Sequence, residues 1–151
     1  MKILVVEDED PKRANILAAL SNQFPSFQPK IARSVSSAIK FLREEVPELI
    51  LLDMSLPTFD IGPQESGGRP QGFGGIEVLR YIDRFELDVP VIVVTAYEAF
   101  AKAGQQIDLN GLANQLSDAH PVNFRGIVYY NSVFEAWREE LFRLMEDVVV
   151  P

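Results

Sequence analysis

The chain has 151 residues, of which 47% are hydrophobic and 24% charged, and these values are typical of one soluble globular domain. It contains no cysteine, which excludes disulfides, thiolate metal sites and cysteine nucleophiles. A net charge of -8 with scattered basic residues argues against nucleic-acid binding, and the apolar runs are too short to span a membrane. The first residues show no signal-peptide pattern, so we expect a cytoplasmic protein.

Short apolar runs alternate with helical patterns along the chain. Strands are predicted at residues 3–6, 49–52, 91–94 and 127–130, with a weaker strand at residues 29–32. Parallel strands that are buried on both faces are apolar throughout their length. The alternation therefore predicts an α/β fold with a doubly wound parallel sheet.

Capping residues and apolar spacing place the helices. Asp10 is predicted to cap the first helix, with Pro11 as its first helical residue, and Ser34 or Ser36 to cap the second. Two more helices are predicted, one over residues 76–82 from its apolar spacing and one from a capping box at residues 132–135.

Two segments interrupt this alternation. Residues 58–75 hold six of the nine glycines, which predicts a long inserted loop. An extended region at residues 98–125 is predicted to contain two short helical pieces, at residues 99–103 and 109–116. Neither segment suggests a second domain, so we expect residues 1–151 to form one domain.

Acidic residues follow two of the predicted strands directly. Glu7, Asp8 and Glu9 follow the first strand, and Asp53 follows the strand at residues 49–52. Ligands of open α/β sheets bind outside the carboxyl ends of the strands, where these side chains meet. Carboxylates held together repel one another unless a cation such as Mg²⁺ lies between them. The alternative for the first three is a solvated turn that caps the first helix.

Four stretches carry a resemblance to a known family. They are ILVVEDE at residues 3–9, LILLDMSLP at 49–57, GIEVLR at 75–80 and PVIVVTA at 90–96. In their order and their placement at strand ends they resemble the receiver domain of two-component response regulators. The resemblance implies a flavodoxin-like sheet of five parallel strands in the order 2-1-3-4-5, with helices on both faces.

The resemblance also implies roles for particular residues. Asp53 would accept a phosphoryl group from a sensor histidine kinase or a phosphotransfer protein. Glu7, Asp8, Asp53 and the backbone carbonyl of Ser55 would hold Mg²⁺, and Thr95 would hydrogen-bond a phosphoryl oxygen. Such a domain is a switch that assists its own phosphorylation rather than a turnover enzyme.

The end of the fifth strand departs from the family pattern. Receivers carry a lysine there, whereas this chain has Tyr130 or Asn131, depending on the register. Lys102 or Arg125 is a candidate for a substitute cation. The aromatic switch residue expected three positions earlier falls on residues 127–128, which are Ile and Val.

Three functional hypotheses follow. The first is a stand-alone receiver that is phosphorylated on Asp53 and signals by protein contact, since no output domain follows the last predicted helix. The second is a degenerate receiver that acts as a phosphorylation-independent interaction module. The third, a Mg²⁺-dependent phosphohydrolase, would need a second acid two residues after Asp53, where Ser55 stands.

Overall fold

A computed structural model describes residues 1–60, 74–96, 99–102, 105–131, 133 and 135–149. Five parallel strands form the main sheet: β1 (Lys2–Val6), β2 (Gln28–Ala32), β3 (Leu49–Leu52), β4 (Val91–Thr95) and β7 (Phe124–Tyr129). A two-stranded antiparallel pair contains β5 (Ala99–Lys102) and β6 (Gln105–Asp108). The helices are α1 (Asp10–Gln23), α2 (Val35–Glu44), α3 (Gly74–Arg84), α4 (Leu109–Ala119) and α5 (Ala136–Val149).

The strand order of the main sheet is β2-β1-β3-β4-β7. Because β7 is the fifth strand of this sheet, the predicted order 2-1-3-4-5 is confirmed. All four pairings in the sheet are parallel, so the carboxyl ends of the strands lie along one edge. The fold is therefore the flavodoxin-like arrangement expected from the sequence.

Two apolar cores cover the two faces of the sheet. On one face α1 and α5 contribute Ile16, Leu20 and Leu141. On the other face α2, α3 and α4 pack through residues such as Leu79 and Leu116. Since β1, β3 and β4 are buried on both faces, their continuous apolar runs are explained.

The start of α1 differs by one residue from the prediction. Asp10 is the first helical residue and Glu9 is the N-cap, with no hydrogen bond from the Glu9 side chain to the helix. The helix extends to Asp10 because the Arg13 N–H donates to the Glu9 carbonyl at 2.9 Å, an i to i−4 bond that Pro11 does not interrupt. For α2, Ser34 is the cap, and its hydroxyl accepts from the Ser37 N–H at 3.0 Å.

The extended region contains one error of prediction. Residues 99–102 form the strand β5, which pairs with β6, and not the first of the two predicted helical pieces. A segment of four residues is too short for its periodicity to separate helix from strand, and pairing satisfies its backbone groups. The second helical piece is confirmed as α4. The capping box predicted at residues 132–135 falls partly outside the described residues, and α5 begins at Ala136.

Residues 61–73, which belong to the predicted inserted loop, are flanked on both sides by contacts with the body of the domain. Before it, the Ser34 hydroxyl donates to the Asp60 carboxylate at 2.5 Å. After it, the Gly75 N–H donates to the Met54 carbonyl at 2.9 Å. A Cβ atom on Gly75 would come within 2.9 Å of the Met54 Cα, so this approach requires glycine. Residues 61–73 of the predicted loop lie outside the described residues, and Gly74 and Gly75 belong to α3.

Within the described part of the chain, no helix is long and apolar enough to cross a membrane.

Candidate functional site

The ends of β1 and β3 bring three acidic side chains together. Val6 lies beside Leu52 in the sheet, so the residues that follow them, Glu7 and Asp53, are neighbours. Carboxylate oxygens of Glu7, Asp8 and Asp53 all lie within 4.8 Å of one another. The Asp53 N–H donates to the Val6 carbonyl at 3.0 Å, which fixes Asp53 against β1. The acidic cluster expected at this edge of the sheet is therefore present.

Burial and like charge dominate the electrostatics of this acidic cluster. Burial and the neighbouring charge of Asp53 raise the pKa of Glu7 to about 8, although Lys12 opposes the shift. Burial and the Asp53 charge also raise the pKa of Asp8. For Asp53 itself, burial raises the pKa against the opposing influence of the Lys12 ammonium. Such carboxylates gain from any cation that lies between them.

A lysine that the sequence interpretation did not select completes the cluster. The Lys12 Nζ lies 2.5 Å from Glu7 Oε1 and 3.3 Å from Asp53 Oδ1, and it donates a hydrogen bond to the Val94 carbonyl at 2.8 Å. Only 1% of Lys12 is exposed. Burial on its own lowers the pKa of Lys12, but the charges of Asp53 and Glu7 outweigh it and raise the net value. Lys12 is therefore held as a cation inside the cluster.

The sequence did contain a signal for Lys12. Lys12 precedes Ile16 by four residues and Leu20 by eight, so it lies on the buried stripe of α1. A lysine on an apolar stripe, one turn after an acidic strand end, is placed to face that strand end.

The other predicted site residues lie around this cluster. Thr95 ends β4 and is fully buried, and its carbonyl accepts the Tyr130 N–H at 2.8 Å. Ser55 is also buried, and its backbone N–H interacts with the Asp53 carboxylate. Ala96, after Thr95, is exposed.

Neither candidate for a substitute cation is placed at the site by the described residues. Arg125 is exposed near the start of β7, the opposite end of that strand, and its guanidinium donates to the Val122 carbonyl at 2.8 Å. Arg125 is therefore wrong as a candidate. The side chain of Lys102 lies outside the described residues. Of the two residues predicted at the position of the family lysine, Tyr130 and Asn131, Tyr130 directly follows β7.

Tyr130 forms an aromatic wall beside Lys12. The Lys12 Nζ lies 5.7 Å from the centre of the Tyr130 ring, which is a cation–π distance. The Tyr130 hydroxyl accepts a hydrogen bond from the Asn15 side chain at 2.7 Å. On its other side the Tyr130 ring packs against Trp137, with 5.0 Å between ring centres. The lysine is thus linked through one tyrosine to the only tryptophan of the chain.

The cluster has the composition that a Mg²⁺ site needs. Glu7 Oε1 and Asp53 Oδ1 are buried oxygens that lie 2.5 Å and 3.3 Å from the Lys12 ammonium. Mg²⁺ prefers carboxylate oxygens and keeps several waters, so three carboxylates are sufficient. With all groups ionised, three negative charges and one positive charge leave a net charge of about -2, which a divalent cation neutralises.

Comparison with known proteins identifies the family. Residues 3–114 match the model of the response regulator receiver domain. The chain therefore belongs to the response regulator receiver family. Receiver domains are signalling switches of two-component systems, they generally bind Mg²⁺ at an acidic pocket, and they interact with histidine kinases or phosphotransfer proteins.

Two relatives match nearly the whole chain. The uncharacterized protein y4jR of Sinorhizobium fredii is 33% identical over 141 residues, which cover 91% of this chain and 92% of that protein. The Detocs response regulatory protein DtcB of Enterobacter cloacae is 25% identical, with coverage of 98% and 100%.

Solved structures show the same fold. The phosphorylated cyanobacterial phytochrome response regulator RcpA has a TM-score of 0.67 at 21% identity, covering 99% of this chain and 94% of that one. The receiver domain of the sensor histidine kinase PA1611 from Pseudomonas aeruginosa has a TM-score of 0.63 at 20% identity, with coverage of 99% and 98%. That second structure contains a magnesium ion in its active-site cleft.

Proposed function

We propose that this receiver is phosphorylated on Asp53 in a Mg²⁺-dependent reaction, with a histidine kinase or a phosphotransfer protein as the donor. The observation that carries the proposal is the buried cluster in which carboxylate oxygens of Glu7, Asp8 and Asp53 lie within 4.8 Å of one another. Glu7, Asp8, Asp53 and the Ser55 carbonyl would hold the ion. When bound, Mg²⁺ supplies positive charge that neutralises the oxygens of the transferring phosphoryl group.

The protein contributes the nucleophile and its position. An Asp53 carboxylate oxygen forms a bond to phosphorus while the bond from phosphorus to the donor nitrogen breaks, and that nitrogen takes the electron pair. The product is an aspartyl phosphate. The interaction of the Ser55 N–H with the Asp53 carboxylate favours its ionised form, which is the nucleophilic one.

Thr95 and Ala96 are suited to the neighbouring roles. Thr95 stands at the end of β4, the strand beside β3, so its hydroxyl belongs to the same edge of the sheet as Asp53. We propose that this hydroxyl bonds to a phosphoryl oxygen once Asp53 is modified. The small side chain of Ala96, which is exposed, leaves the approach open to a phosphodonor.

Intact-mass measurement tests the proposal. The protein is incubated with acetyl phosphate or phosphoramidate, with Mg²⁺ or with a chelator. We expect the mass gain of one phosphoryl group in wild type with Mg²⁺ and none with the chelator. Asp53→Asn should show no gain, whereas Asp88→Asn, which changes an exposed aspartate, should behave as wild type. No gain in wild type, or an equal gain in Asp53→Asn, contradicts the proposal.

One observation favours a second candidate. The Lys12 ammonium already lies between Glu7 and Asp53, as an internal cation would in a receiver that needs neither metal nor phosphate. Such a protein would be a phosphorylation-independent interaction module. It would show no mass gain with either donor, and its affinity for Mg²⁺ would be low.

A further inference from the structure

We propose that Lys12, at the start of α1, supplies the cation that contacts the phosphoryl group on Asp53. It would thereby take over the task that receivers assign to a lysine at the end of the fifth strand. This inference rests on the proposed phosphorylation of Asp53. It concerns a different residue, on a different element, from the one on which the family pattern relies.

The position of the Lys12 ammonium carries the inference. Three oxygens from three elements surround it: Glu7 Oε1 after β1 at 2.5 Å, Asp53 Oδ1 after β3 at 3.3 Å, and the Val94 carbonyl of β4 at 2.8 Å. The ammonium thus lies directly beside one oxygen of the carboxylate to which a phosphoryl group would be joined. A phosphoryl group has three oxygens of its own, and an ammonium at this place is within reach of them.

The end of the fifth strand explains why a lysine from α1 can occupy this place. Tyr130 follows β7 where the family lysine is expected, and its ring faces the Lys12 Nζ at 5.7 Å. The Tyr130 hydroxyl is engaged by the Asn15 side chain, one turn after Lys12 on the same helix. Tyr130, one of the two residues predicted at the position of the family lysine, therefore forms one wall of the place that Lys12 fills.

The surroundings also leave Lys12 room to move. A cavity of about 360 Å³ lies beside it, lined among others by Pro11, Asn15, Tyr130 and Asn131. Lysine has a flexible four-carbon stem, so its ammonium can leave Glu7 while it stays close to Asp53. This matters because Glu7 is expected to become a metal ligand. The two cations can then occupy the cluster together, one held by the carboxylates and the other by the phosphoryl oxygens.

The test separates binding of the phosphoryl group from binding of the metal. Beryllofluoride, a phosphoryl analogue that joins an aspartate oxygen, is titrated at saturating Mg²⁺ and followed by ¹⁹F NMR. Mg²⁺ affinity is measured alone by calorimetry. The variant is Lys12→Met, which keeps the length of the side chain and removes its charge. The matched control is Lys40→Met, which removes the same charge from an exposed position of α2.

We expect Lys12→Met to bind beryllofluoride on the order of 10- to 100-fold more weakly than wild type, the loss of one charge-assisted contact. Its Mg²⁺ affinity should be about tenfold higher than that of wild type, because the competing charge is removed, and Lys40→Met should match wild type in both measurements. Equal beryllofluoride affinity in Lys12→Met and wild type overturns the inference. Parallel loss of both affinities also overturns it, because that result means that Lys12 only holds the carboxylates in place.

A measurement on wild type covers the case in which Lys12→Met does not fold. The ¹⁵N resonance of the Lys12 ammonium should shift when beryllofluoride is added to the Mg²⁺-bound protein, and an unchanged resonance contradicts the inference. Failure of the proposed function looks different. In that case wild type itself binds no beryllofluoride and gains no mass with a phosphodonor.

Discussion

The ammonium nitrogen of Lys12 lies 3.3 Å from the Oδ1 atom of Asp53, although the two residues belong to different layers of the fold. Lys12 comes from α1, which covers one face of the sheet, and Asp53 follows the central strand β3. The contact forms because α1 begins, and β3 ends, at the carboxyl edge of the sheet. It gives the acidic cluster a cation that belongs to the protein itself.

Lys12 is expected to compete with Mg²⁺ for the same carboxylates. Its ammonium lies 2.5 Å from Glu7 Oε1, so binding of the metal must weaken this ion pair. Lys12→Met removes the competing charge. We therefore expect its Mg²⁺ dissociation constant to fall by about tenfold, which corresponds to binding that is about 1.4 kcal/mol more favourable. Isothermal titration calorimetry measures the constant. Weaker Mg²⁺ binding in Lys12→Met than in Lys40→Met would contradict the expected competition.

Removal of the metal should make stability depend on pH. Burial and the charge of Asp53 raise the pKa of Glu7 to about 8 from an ordinary value of 4.5. Between these values the folded protein keeps a proton that the unfolded chain has released, so the free energy of unfolding falls as pH rises. We expect the melting temperature of chelator-treated protein to fall between about pH 6 and about pH 8.

The matched variant for this pH dependence is Glu7→Gln, which cannot ionise. The other groups that face Glu7 (Asp8, Lys12 and Asp53) are present in both proteins, so the difference between the two curves reports on Glu7. Melting is followed by circular dichroism at a series of pH values. Curves that run parallel for wild type and Glu7→Gln would show that Glu7 does not titrate in this range.

Trp137 should report on the movement of Lys12. Its ring packs at 5.0 Å on Tyr130, whose other neighbour is the Lys12 ammonium. Titration with Mg²⁺ should therefore change the fluorescence of this single tryptophan. Tyr130→Phe keeps the ring and should keep the response, whereas Tyr130→Leu should reduce it. An undiminished response in Tyr130→Leu would mean that the signal reaches Trp137 by another route.

Gly75 is expected to tolerate no side chain. A Cβ atom there would meet the backbone of Met54 at 2.9 Å and would also collide with the Asp53 carbonyl oxygen. We expect Gly75→Ala to lower the free energy of unfolding by about 2 kcal/mol and to reduce phosphorylation of Asp53. Chemical denaturation and intact mass measure the two effects. The control, Glu77→Ala, removes an exposed ion pair with Arg80 in the same helix and should cost less than about 0.5 kcal/mol.

The main sheet and the clustering of the three carboxylates could be predicted from the sequence for one physical reason. Strands buried on both faces must be apolar along their whole length, so the acids at positions 7, 8 and 53 mark the points where β1 and β3 leave the core. Parallel pairing then places those points together. The order of strands came from resemblance to a family, because apolar runs alone do not determine which strands pair.

Lys12 and the β5–β6 pair were missed for different reasons. A lysine in the first turn of a helix is usually solvated, and only its phase relative to Ile16 and Leu20 shows that this one faces the core. The stretch at residues 99–102 contains two alanines and no long apolar pattern, and its strand conformation depends on a partner, β6, that is equally short. The local sequence therefore indicates the burial of Lys12 only weakly, and it gives almost no indication that residues 99–102 form a strand.

The bonds on either side of residues 61–73 have a consequence for how this chain can diversify. Asp60 is tied to Ser34 before that segment, and Gly75 is tied to Met54 after it. Because residues outside the segment form both attachments, we expect a change in the length of residues 61–73 to leave the bonds of Asp60 and Gly75 in place.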